Sequence, residues 1–250
     1  MRIAVAGGTG LTGALTVQAL ERAGHEAVVL ARSTGIDLAR PHDELTAALA
    51  DRLTGVDAVV DTLNVVTMKA DESRDFFERT TAALLAAGER AGVRHHLVLS
   101  IVGIDRAPYD YYVGKLRQEE LVQAGSLPWT ILRATQFHEF AGQMLERLSF
   151  GPVGLAPRMP VQPVAVAEVG EHLARLAAQP ARGAVLELAG PAREDLADMA
   201  RRTARRGGGP RFVLGVPVPG AFGRAVRAGA LTTDAPDLVG RQAFAEWLRG

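Results

Sequence analysis

Short apolar runs alternate with amphipathic stretches along the first two thirds of the chain. Such runs predict buried strands, and apolar residues at helical spacing between them predict crossover helices. The predicted strands are Arg2–Ala6, Glu26–Ala31, Ala58–Leu63, Arg94–Val102, Trp129–Ala134 and Ala184–Leu188. The predicted helices are Ala14–Ala23, Pro41–Leu53, Asp71–Ala91, Tyr111–Ala124, Val166–Ala178 and Arg193–Arg206. This alternation predicts an α/β fold with a Rossmann-type, doubly wound parallel sheet.

Two segments depart from this alternation. The stretch from Arg32 to Ile36 leaves no room for a crossover helix, so we expect one helix of the fold to be missing or reduced, with Ile36–Leu38 as a vestigial strand. Later, the apolar stretch Phe212–Gly223 shows no strand–helix rhythm. We interpret that stretch as a lid or wall over an apolar substrate or as an oligomer surface, with core packing as the alternative.

The chain is expected to form a single Rossmann-type domain over residues 1–250, of which 48% are hydrophobic, enough for a full core. The core would comprise residues 1–150 and 161–190. A small C-terminal substrate lobe would comprise approximately residues 140–163 and 191–237. The longest apolar runs fall short of the about 18 residues that a transmembrane helix needs, so we expect no membrane partner.

Composition narrows the function classes. The 28 Lys and Arg residues balance 28 Asp and Glu residues, so no net field favours nucleic acid. The absence of cysteine excludes disulfides, thiolate nucleophiles and cysteine-bound zinc, and it predicts a cytoplasmic protein. His95 and His96 are adjacent on a predicted strand and point to opposite faces, and we predict no metal site.

A glycine-rich turn joins the first predicted strand to the first predicted helix. Gly7, Gly10 and Gly13 stand in the sequence AVAGGTGLTGA. Glycines let backbone N–H groups approach a pyrophosphate closely, and the N-terminus of the following helix attracts negative charge. The alternative is a turn that serves only tight packing. The position between a strand and a helix favours dinucleotide binding.

The end of the second predicted strand indicates which dinucleotide is bound. Arg32 and Ser33 stand where an acidic residue would otherwise accept hydrogen bonds from the ribose hydroxyls, and arginine can accommodate a 2′-phosphate. The sequence therefore favours NADP(H) over NAD(H). The alternative is that Arg32 only solvates the strand end. Asp37 either lies at the edge of the adenine or is a plain turn residue.

Tyr111 and Lys115 form a Y-x-x-x-K pattern, which places both side chains on one face of a predicted helix. With three tyrosines and two lysines in the whole chain, this spacing is rare by chance. A nearby lysine cation is expected to lower the pKa of the phenol and suit it to acid–base catalysis. Ser100 lies near the end of the preceding predicted strand, where its hydroxyl could orient a carbonyl. The alternative is an ordinary amphipathic surface helix.

Four motifs resemble the short-chain dehydrogenase/reductases, in particular the atypical, NmrA-like members that bind NAD(P). The motifs are GGTGLTG at residues 7–13, HHLVLSIVGID at 95–105, YYVGK at 111–115 and PWTILRATQFHEF at 128–140. The resemblance covers the chain well to about Leu188. It implies a Rossmann core and a catalytic set of Ser100, Tyr111 and Lys115.

The resemblance also implies contacts to cofactor and substrate. The implied cofactor contacts are Gly7, Thr9, Gly10, Leu11, Thr12, Gly13, Arg32, Ser33, Asp37, Asn64, Lys115, Ala134 and Thr135. The implied substrate contacts are Gln136, Phe137 and His138, with capping of the next helix as the alternative for His138. Asn64, in the sequence DTLN, is the approximate counterpart of the asparagine in the NAG segment of the family.

Together these residues indicate an NADPH-dependent oxidoreductase that reduces the carbonyl of a ketone or quinone-like molecule. Many NmrA-like relatives instead sense the dinucleotide and bind regulatory proteins, so a non-catalytic NADP(H) sensor is one alternative. An epimerase or dehydratase with a tightly bound dinucleotide is another. We expect a small-molecule substrate and consider a homodimer as the assembly.

Overall fold

The computed structural model describes residues 1–38 and 42–250, with only the backbone described for residues 42–44. The strands are β1 (Arg2–Ala6), β2 (Glu26–Leu30), β3 (Ala58–Asp61), β4 (His95–Ile101), β5 (Trp129–Ala134), β6 (Ser149–Phe150), β7 (Val153–Pro157), β8 (Pro160–Val161), β9 (Ala184–Ala189), β10 (Glu194–Asp195), β11 (Phe212–Val216) and β12 (Leu238–Val239). The helices are α1 (Leu11–Arg22), α2 (His42–Arg52), α3 (Ala70–Ala91), α4 (Tyr111–Ala124), α5 (Phe140–Arg147), α6 (Val166–Ala177), α7 (Leu196–Gly207), α8 (Gly220–Arg227) and α9 (Phe244–Trp247).

Seven strands form the large sheet in the order β12–β9–β5–β4–β3–β1–β2. β1 pairs in parallel with β2 on one side and with β3 on the other, and β3 pairs in parallel with β4. The strand order therefore reverses at β1. In open α/β sheets, ligands bind at the carboxyl ends of the strands beside such a reversal. The predicted Rossmann-type parallel sheet is confirmed.

The segment after β2 is reduced, as its length predicts. Its described part holds the short 3₁₀ helix Arg32–Thr34. Ile36–Leu38 is not a strand, so that prediction is wrong. Ile36 and Leu38 are instead buried in the apolar cluster that β1, β3, α2 and α3 share, and this burial explains their apolar character. Pro41, where the second helix was predicted to begin, lies outside the described residues.

The backbone divides into two compact units. The first unit comprises Met1–Ser100, Pro108–Arg133 and Val169–Leu186, and the second comprises Ile101–Ala107, Ala134–Glu168 and Glu187–Gly250. The predicted single domain with its lobe boundaries remains a prediction. Among residues 1–38 and 42–250, none of the helices combines the length and the apolar character that a bilayer span requires.

The C-terminal region is more regular than the sequence suggests. Phe212–Gly223 contains strand β11 and the first turn of α8, although its sequence shows no strand–helix rhythm. Its role as a lid, a wall or an oligomer surface remains a prediction. The burial pattern of β11 explains why the sequence does not reveal this strand. Phe212 and Leu214 are exposed apolar side chains, whereas Val213 and Gly215 are half-buried, so no polar residue marks the period of the strand.

Helices α3 and α4 pack closely at a glycine, and this contact positions the start of α4. A Cβ atom at Gly114 would overlap the main chain of Ser73 in α3. The Ser73 hydroxyl also donates a hydrogen bond of 2.7 Å to the carbonyl oxygen of Tyr111, the first residue of α4. The N-terminal turn of α4 is therefore held against α3 by packing and by a hydrogen bond.

Replacement of Gly114 by alanine is predicted to destabilise the protein by about 1–3 kcal/mol, because the added methyl group must displace the main chain of α3. The matched control is Gly207→Ala at the end of α7, where a Cβ atom would meet nothing within 4 Å. Urea unfolding of both variants provides the measurement. Equal stability of the two variants would contradict the close helix contact.

Candidate functional site

The glycine-rich turn after β1 leaves room only for glycine at two positions. Gly7 has a φ of 77°, in the left-handed region that favours glycine, and its carbonyl accepts a 2.9 Å hydrogen bond from the N–H of Gly10. A Cβ atom at Gly13 would overlap the Gly7 carbonyl and lie 2.8 Å from the hydroxyl oxygen of Thr62. The turn, α1 and the end of β3 therefore approach one another closely.

The N-terminus of α1 has no side-chain cap on its backbone donors. Gly10 is the N-cap residue, so no side chain caps the helix, and its first turn carries no acidic residue. First-turn N–H groups of a helix lack intrahelical acceptors and concentrate partial positive charge. A pyrophosphate fits this cradle. Thr9 and Leu11 are exposed at the turn, whereas Thr12 is buried.

Arg32 and Ser33 follow β2 directly, and both are exposed. The hydroxyl of Thr34 donates to the carbonyl of Val29 at 3.0 Å and accepts from the N–H of Ala31 at 3.1 Å, which fixes the turn that carries them. A guanidinium group on an exposed, fixed turn is suited to a phosphate. Asp37, the third residue predicted on this side, is half-buried.

Tyr111 is the first residue of α4, and its hydroxyl donates a 2.7 Å hydrogen bond to Oδ1 of Asn64. Asn64 lies exposed in the loop after β3. The rings of Phe77 and Tyr112 pack edge to face with the Tyr111 ring, with centroids 5.8 Å and 5.9 Å away. The structure therefore brings Asn64 and Tyr111 together, two residues predicted for the site on separate grounds.

Lys115 is buried, and its ammonium group makes hydrogen bonds to residues other than Tyr111. Its Nζ atom donates to the carbonyl of Leu99 at 2.6 Å and to Oε1 of Gln118, and it lies 4.7 Å from the centroid of the Phe77 ring. Burial lowers the pKa of Lys115 to about 8, against the opposing effect of the acidic side chains of Asp61 and Glu119.

Asp61 at the end of β3 completes this network and is fully buried. Its Oδ2 atom accepts a 2.8 Å hydrogen bond from Nε2 of Gln118, and its Oδ1 atom accepts a 2.9 Å hydrogen bond from the N–H of Leu63. Burial raises the pKa of Asp61, and the charge of Lys115 opposes this shift. Gln118 thus bridges a buried acid and a buried base.

The expected effect of Lys115 on Tyr111 is wrong. The pKa of Tyr111 is raised rather than lowered, because burial disfavours the phenolate and the neighbouring Tyr112 and Asp61 add to the effect. The ammonium group of Lys115 is directed to Leu99 and Gln118 instead. Tyr111 is therefore protonated at neutral pH, so it is able to donate a proton.

Ser100 belongs to a second buried network. Its hydroxyl donates to Oε1 of Glu119, and Glu119 accepts two further hydrogen bonds from Arg133, at 3.0 Å from Nε and 2.7 Å from Nη2. A serine hydroxyl has one proton, so in this arrangement Ser100 cannot also donate to a substrate. The structure does not join Ser100, Tyr111 and Lys115 by hydrogen bonds within the described chain.

Four residues of these networks were missed from the sequence: Asp61, Gln118, Glu119 and Arg133. Gln118 and Glu119 follow Lys115 by three and four positions, the spacing that brings helical side chains together. That spacing was a usable signal. Asp61, at the end of an otherwise apolar strand, was another.

Residues predicted near the nicotinamide lie in the second unit and are mostly engaged within it. Ala134 and Thr135 are buried, and the hydroxyl of Thr135 donates to the carbonyl of Gln162 at 2.5 Å. The Gln136 side chain donates to the carbonyl of Leu231 at 3.0 Å and accepts from the N–H of Gln162 at 3.2 Å. These side chains therefore fix neighbouring segments of their own unit.

Phe137 is half-buried and forms a parallel bridge with Val164. His138 is fully buried, with its Nε2 atom 3.0 Å from the carbonyl oxygen of Gln242 and its ring against Phe244 and Trp247. This leaves no His138 surface for a substrate. His138 also does not cap α5, because the N-cap residue is Glu139. Both expectations for His138, a substrate contact and a cap of α5, are therefore wrong.

The comparison with known families decides the class of cofactor. A family model described as NAD(P)H-binding matches residues 7–180, more than half of the chain. The chain belongs to this NAD(P)H-binding family. The match begins at the first glycine of the turn. The NAD(P)-binding character that the resemblance implies is confirmed.

Solved structures share the fold of this NAD(P)H-binding protein. The NADPH-dependent quinone oxidoreductase of Escherichia coli, complexed with NADPH, is 18% identical with a TM-score of 0.73, over 99% of this chain and 98% of that one. The triphenylmethane reductase of Citrobacter sp., complexed with NADP(H), is 16% identical with a TM-score of 0.72, over 99% and 98%. A short-chain dehydrogenase/reductase superfamily protein of Agrobacterium tumefaciens with bound NAD is 18% identical with a TM-score of 0.68, over 100% and 95%.

At these identities the likeness shows the fold alone. No curated protein sequence matches the chain. The choice between NADP(H) and NAD(H), and the reaction itself, therefore have to be argued from the residues of this chain.

Tyr111 is predicted to remain a neutral phenol up to at least about pH 10, the ordinary tyrosine pKa, because its own pKa is raised. Ultraviolet difference titration of the native protein against Tyr111→Phe measures phenolate formation directly. The two titration curves should coincide from neutral pH to that point. A phenolate signal that appears at a lower pH and is lost in Tyr111→Phe would show that the pKa of Tyr111 is lowered, as its spacing to Lys115 predicts.

Proposed function

We propose that this protein is an NADPH-dependent reductase of a carbonyl compound, either a ketone or a quinone-like small molecule. The observation that carries the proposal is the state of Tyr111. Within a unit that also holds the dinucleotide cradle, Tyr111 is protonated at neutral pH and its hydroxyl donates to an exposed asparagine. A protonated hydroxyl so placed suits the transfer of a proton to a carbonyl oxygen.

The residues of the chain support NADP(H) as the cofactor. The turn between β1 and α1 would hold the pyrophosphate through backbone N–H groups, and Arg32 with Ser33 would contact the 2′-phosphate. The structures from Escherichia coli and Citrobacter contain NADPH and NADP(H), whereas the Agrobacterium structure contains NAD. We therefore assign Arg32 as the residue that selects NADP(H) over NAD(H). When bound, the nicotinamide supplies the hydride.

Tyr111 is assigned as the proton donor to the carbonyl oxygen. Because its single O–H is now directed at Asn64, the substrate oxygen takes the place of the Asn64 amide oxygen as the acceptor. Its raised pKa keeps the proton on Tyr111 until negative charge develops on that oxygen.

Lys115 and Ser100 keep roles that fit their contacts. A lysine ammonium has three donors, of which two are used by Leu99 and Gln118. We assign the third to a ribose hydroxyl of the nicotinamide nucleotide. Ser100 is assigned as a positioning residue, because its hydroxyl is committed to Glu119 and thereby ties β4 to α4.

A second candidate is a regulatory protein that binds NADP(H) without turnover. The burial of Ser100 and Lys115, each in its own hydrogen-bond network, is the observation that favours it. A panel of quinones, ketones and aldehydes separates the candidates. A reductase oxidises NADPH with at least one of them, whereas the regulator binds NADPH with none consumed.

Tyr111→Phe is predicted to reduce NADPH oxidation by about a hundredfold or more, because it removes the proposed proton donor. The dissociation constant for NADPH should stay within about twofold. Tyr112→Phe is the matched control, since the pKa of Tyr112 is likewise raised by burial, to about 12, yet it has no proposed catalytic role. Steady-state rates and fluorescence titration provide the two measurements. Full activity in Tyr111→Phe would refute the assignment.

Arg32→Ala is predicted to weaken NADPH binding by about tenfold to a hundredfold and NADH binding little, because charged hydrogen bonds of about 1.5–3 kcal/mol to the 2′-phosphate are lost. Arg22→Ala, at the end of α1, is the control for loss of one positive charge. Calorimetry with both dinucleotides measures the ratio. Equal losses for the two dinucleotides would overturn the assignment of Arg32.

A further inference from the structure

The loop between β3 and α3 is anchored at both ends. At its start, Thr62 donates its hydroxyl to the carbonyl of Ala6 at 2.8 Å. At its end, the hydroxyl of Thr67 donates to Oε2 of Glu72 at 2.8 Å and accepts from the N–H of Lys69 at 3.1 Å. Residues 64–66 lie between these anchors. Among the described residues, the bond between Asn64 and Tyr111 is the one side-chain hydrogen bond that this middle part makes.

Exposure alternates from Asn64 to Met68, with the period of an extended chain. Asn64, Val66 and Met68 are exposed, whereas Val65 and Thr67 are half-buried. In an extended segment, alternate side chains project from the same side. Val66 and Met68 therefore share the exposed side of this loop with Asn64, whose amide oxygen accepts the hydrogen bond from the hydroxyl of Tyr111.

Val66 and Met68 are unusually exposed for apolar side chains, at 79% and 70% of their full surface. Val66 has the highest exposure and Met68 shares the second highest among the large apolar side chains of the described chain. An apolar pair exposed two and four residues after Asn64, the hydrogen-bond partner of the proposed proton donor, is the arrangement expected of a ligand contact.

We infer that Val66 and Met68 bind the apolar ring of a planar aromatic carbonyl compound, such as a naphthoquinone, whose oxygen replaces Asn64 on the hydroxyl of Tyr111. The inference rests on the proposed function, since it names the substrate class for the same tyrosine. One phenolic proton serves one acceptor at a time, so the ligand oxygen and Asn64 compete for it.

The chemistry of the loop favours a neutral aromatic ligand. Lys69 carries the only charge in residues 62–69, and its Nζ atom is paired with Oε1 of Glu72 at 2.6 Å. No charge of this loop is therefore left for an anionic substrate. A methionine thioether adapts its shape to a flat ring and makes favourable contacts with aromatic groups.

Binding can be measured without turnover. The naphthoquinone menadione is titrated by calorimetry into the complex of the full chain with oxidised NADP⁺, which has no hydride to transfer. We expect the double variant Val66→Ser/Met68→Ser to raise the dissociation constant for menadione about tenfold or more, with NADP⁺ affinity unchanged. Met68→Gln, which keeps the length of the side chain, should show part of this loss.

Val239→Ser is the matched control, because Val239 is an exposed valine of the second unit, at 53%. It should bind menadione like the native chain. Asn64→Ala should bind menadione several-fold more tightly, because the competitor for the hydroxyl of Tyr111 is removed, and this gain should vanish when Tyr111→Phe is added. The inference is overturned if the double variant binds like Val239→Ser, or if the native NADP⁺ complex does not bind menadione.

Failure of the inference and failure of the proposed function give different results. In the first case, an aliphatic ketone or aldehyde is reduced with NADPH, the rate depends on Tyr111, and menadione binding is unchanged by substitution of Val66 and Met68. This result would support the proposed reductase and contradict the inferred binding site. In the second case, menadione binding depends on Val66 and Met68 but no compound of the panel is reduced. This result would support the inferred binding site and contradict the proposed reductase.

Discussion

A lysine ammonium buried in a protein needs an acceptor for each N–H that cannot reach water, and Lys115 imposes this requirement on the first unit. The carbonyl of Leu99 at the end of β4 and the amide of Gln118 on α4 meet it directly. Gln118 in turn donates a hydrogen bond to the carboxyl group of Asp61 at the end of β3. The side-chain amide of Gln118 therefore connects the ammonium group of Lys115 to an acidic side chain. The carboxyl ends of two central strands and the helix that carries Tyr111 are thereby tied together.

This constraint explains why, among the described residues, the three side chains of the expected catalytic set hydrogen-bond to other partners and not to one another. A buried charge without a partner is strongly destabilising, whereas a satisfied network holds one conformation. Glu119 is satisfied by Arg133 and Ser100, and Lys115 by its own partners. Within the described part of the chain, Tyr111 is the member whose side-chain hydrogen bond goes to an exposed residue, Asn64. A ligand that binds the Tyr111 hydroxyl therefore breaks fewer internal hydrogen bonds than one that binds Ser100 or Lys115.

Much of the first unit could be predicted from the sequence, because its buried strands and amphipathic helices have clear periods. Tyr111–Ala124 and Trp129–Ala134 have the predicted bounds. The second unit was harder, since β11 exposes its apolar residues and α5 follows a loop without a clear break. The spacing of Tyr111 and Lys115 predicted a shared helix face correctly. It could not predict where the ammonium group points, because Leu99 and Asp61 come from other strands.

The pKa of about 8 for Lys115 has a consequence for any ligand that approaches its ammonium group. At neutral pH the folded protein holds this proton, and above that pKa it releases it. A ligand that favours the charged form raises the pKa, so binding measured in mildly alkaline solution takes up protons from the buffer. The heat of binding then includes the ionisation of the buffer. Comparing buffers of different ionisation enthalpy gives the net proton uptake on binding, and its rise as the pH passes the pKa of Lys115 gives the part that belongs to this side chain.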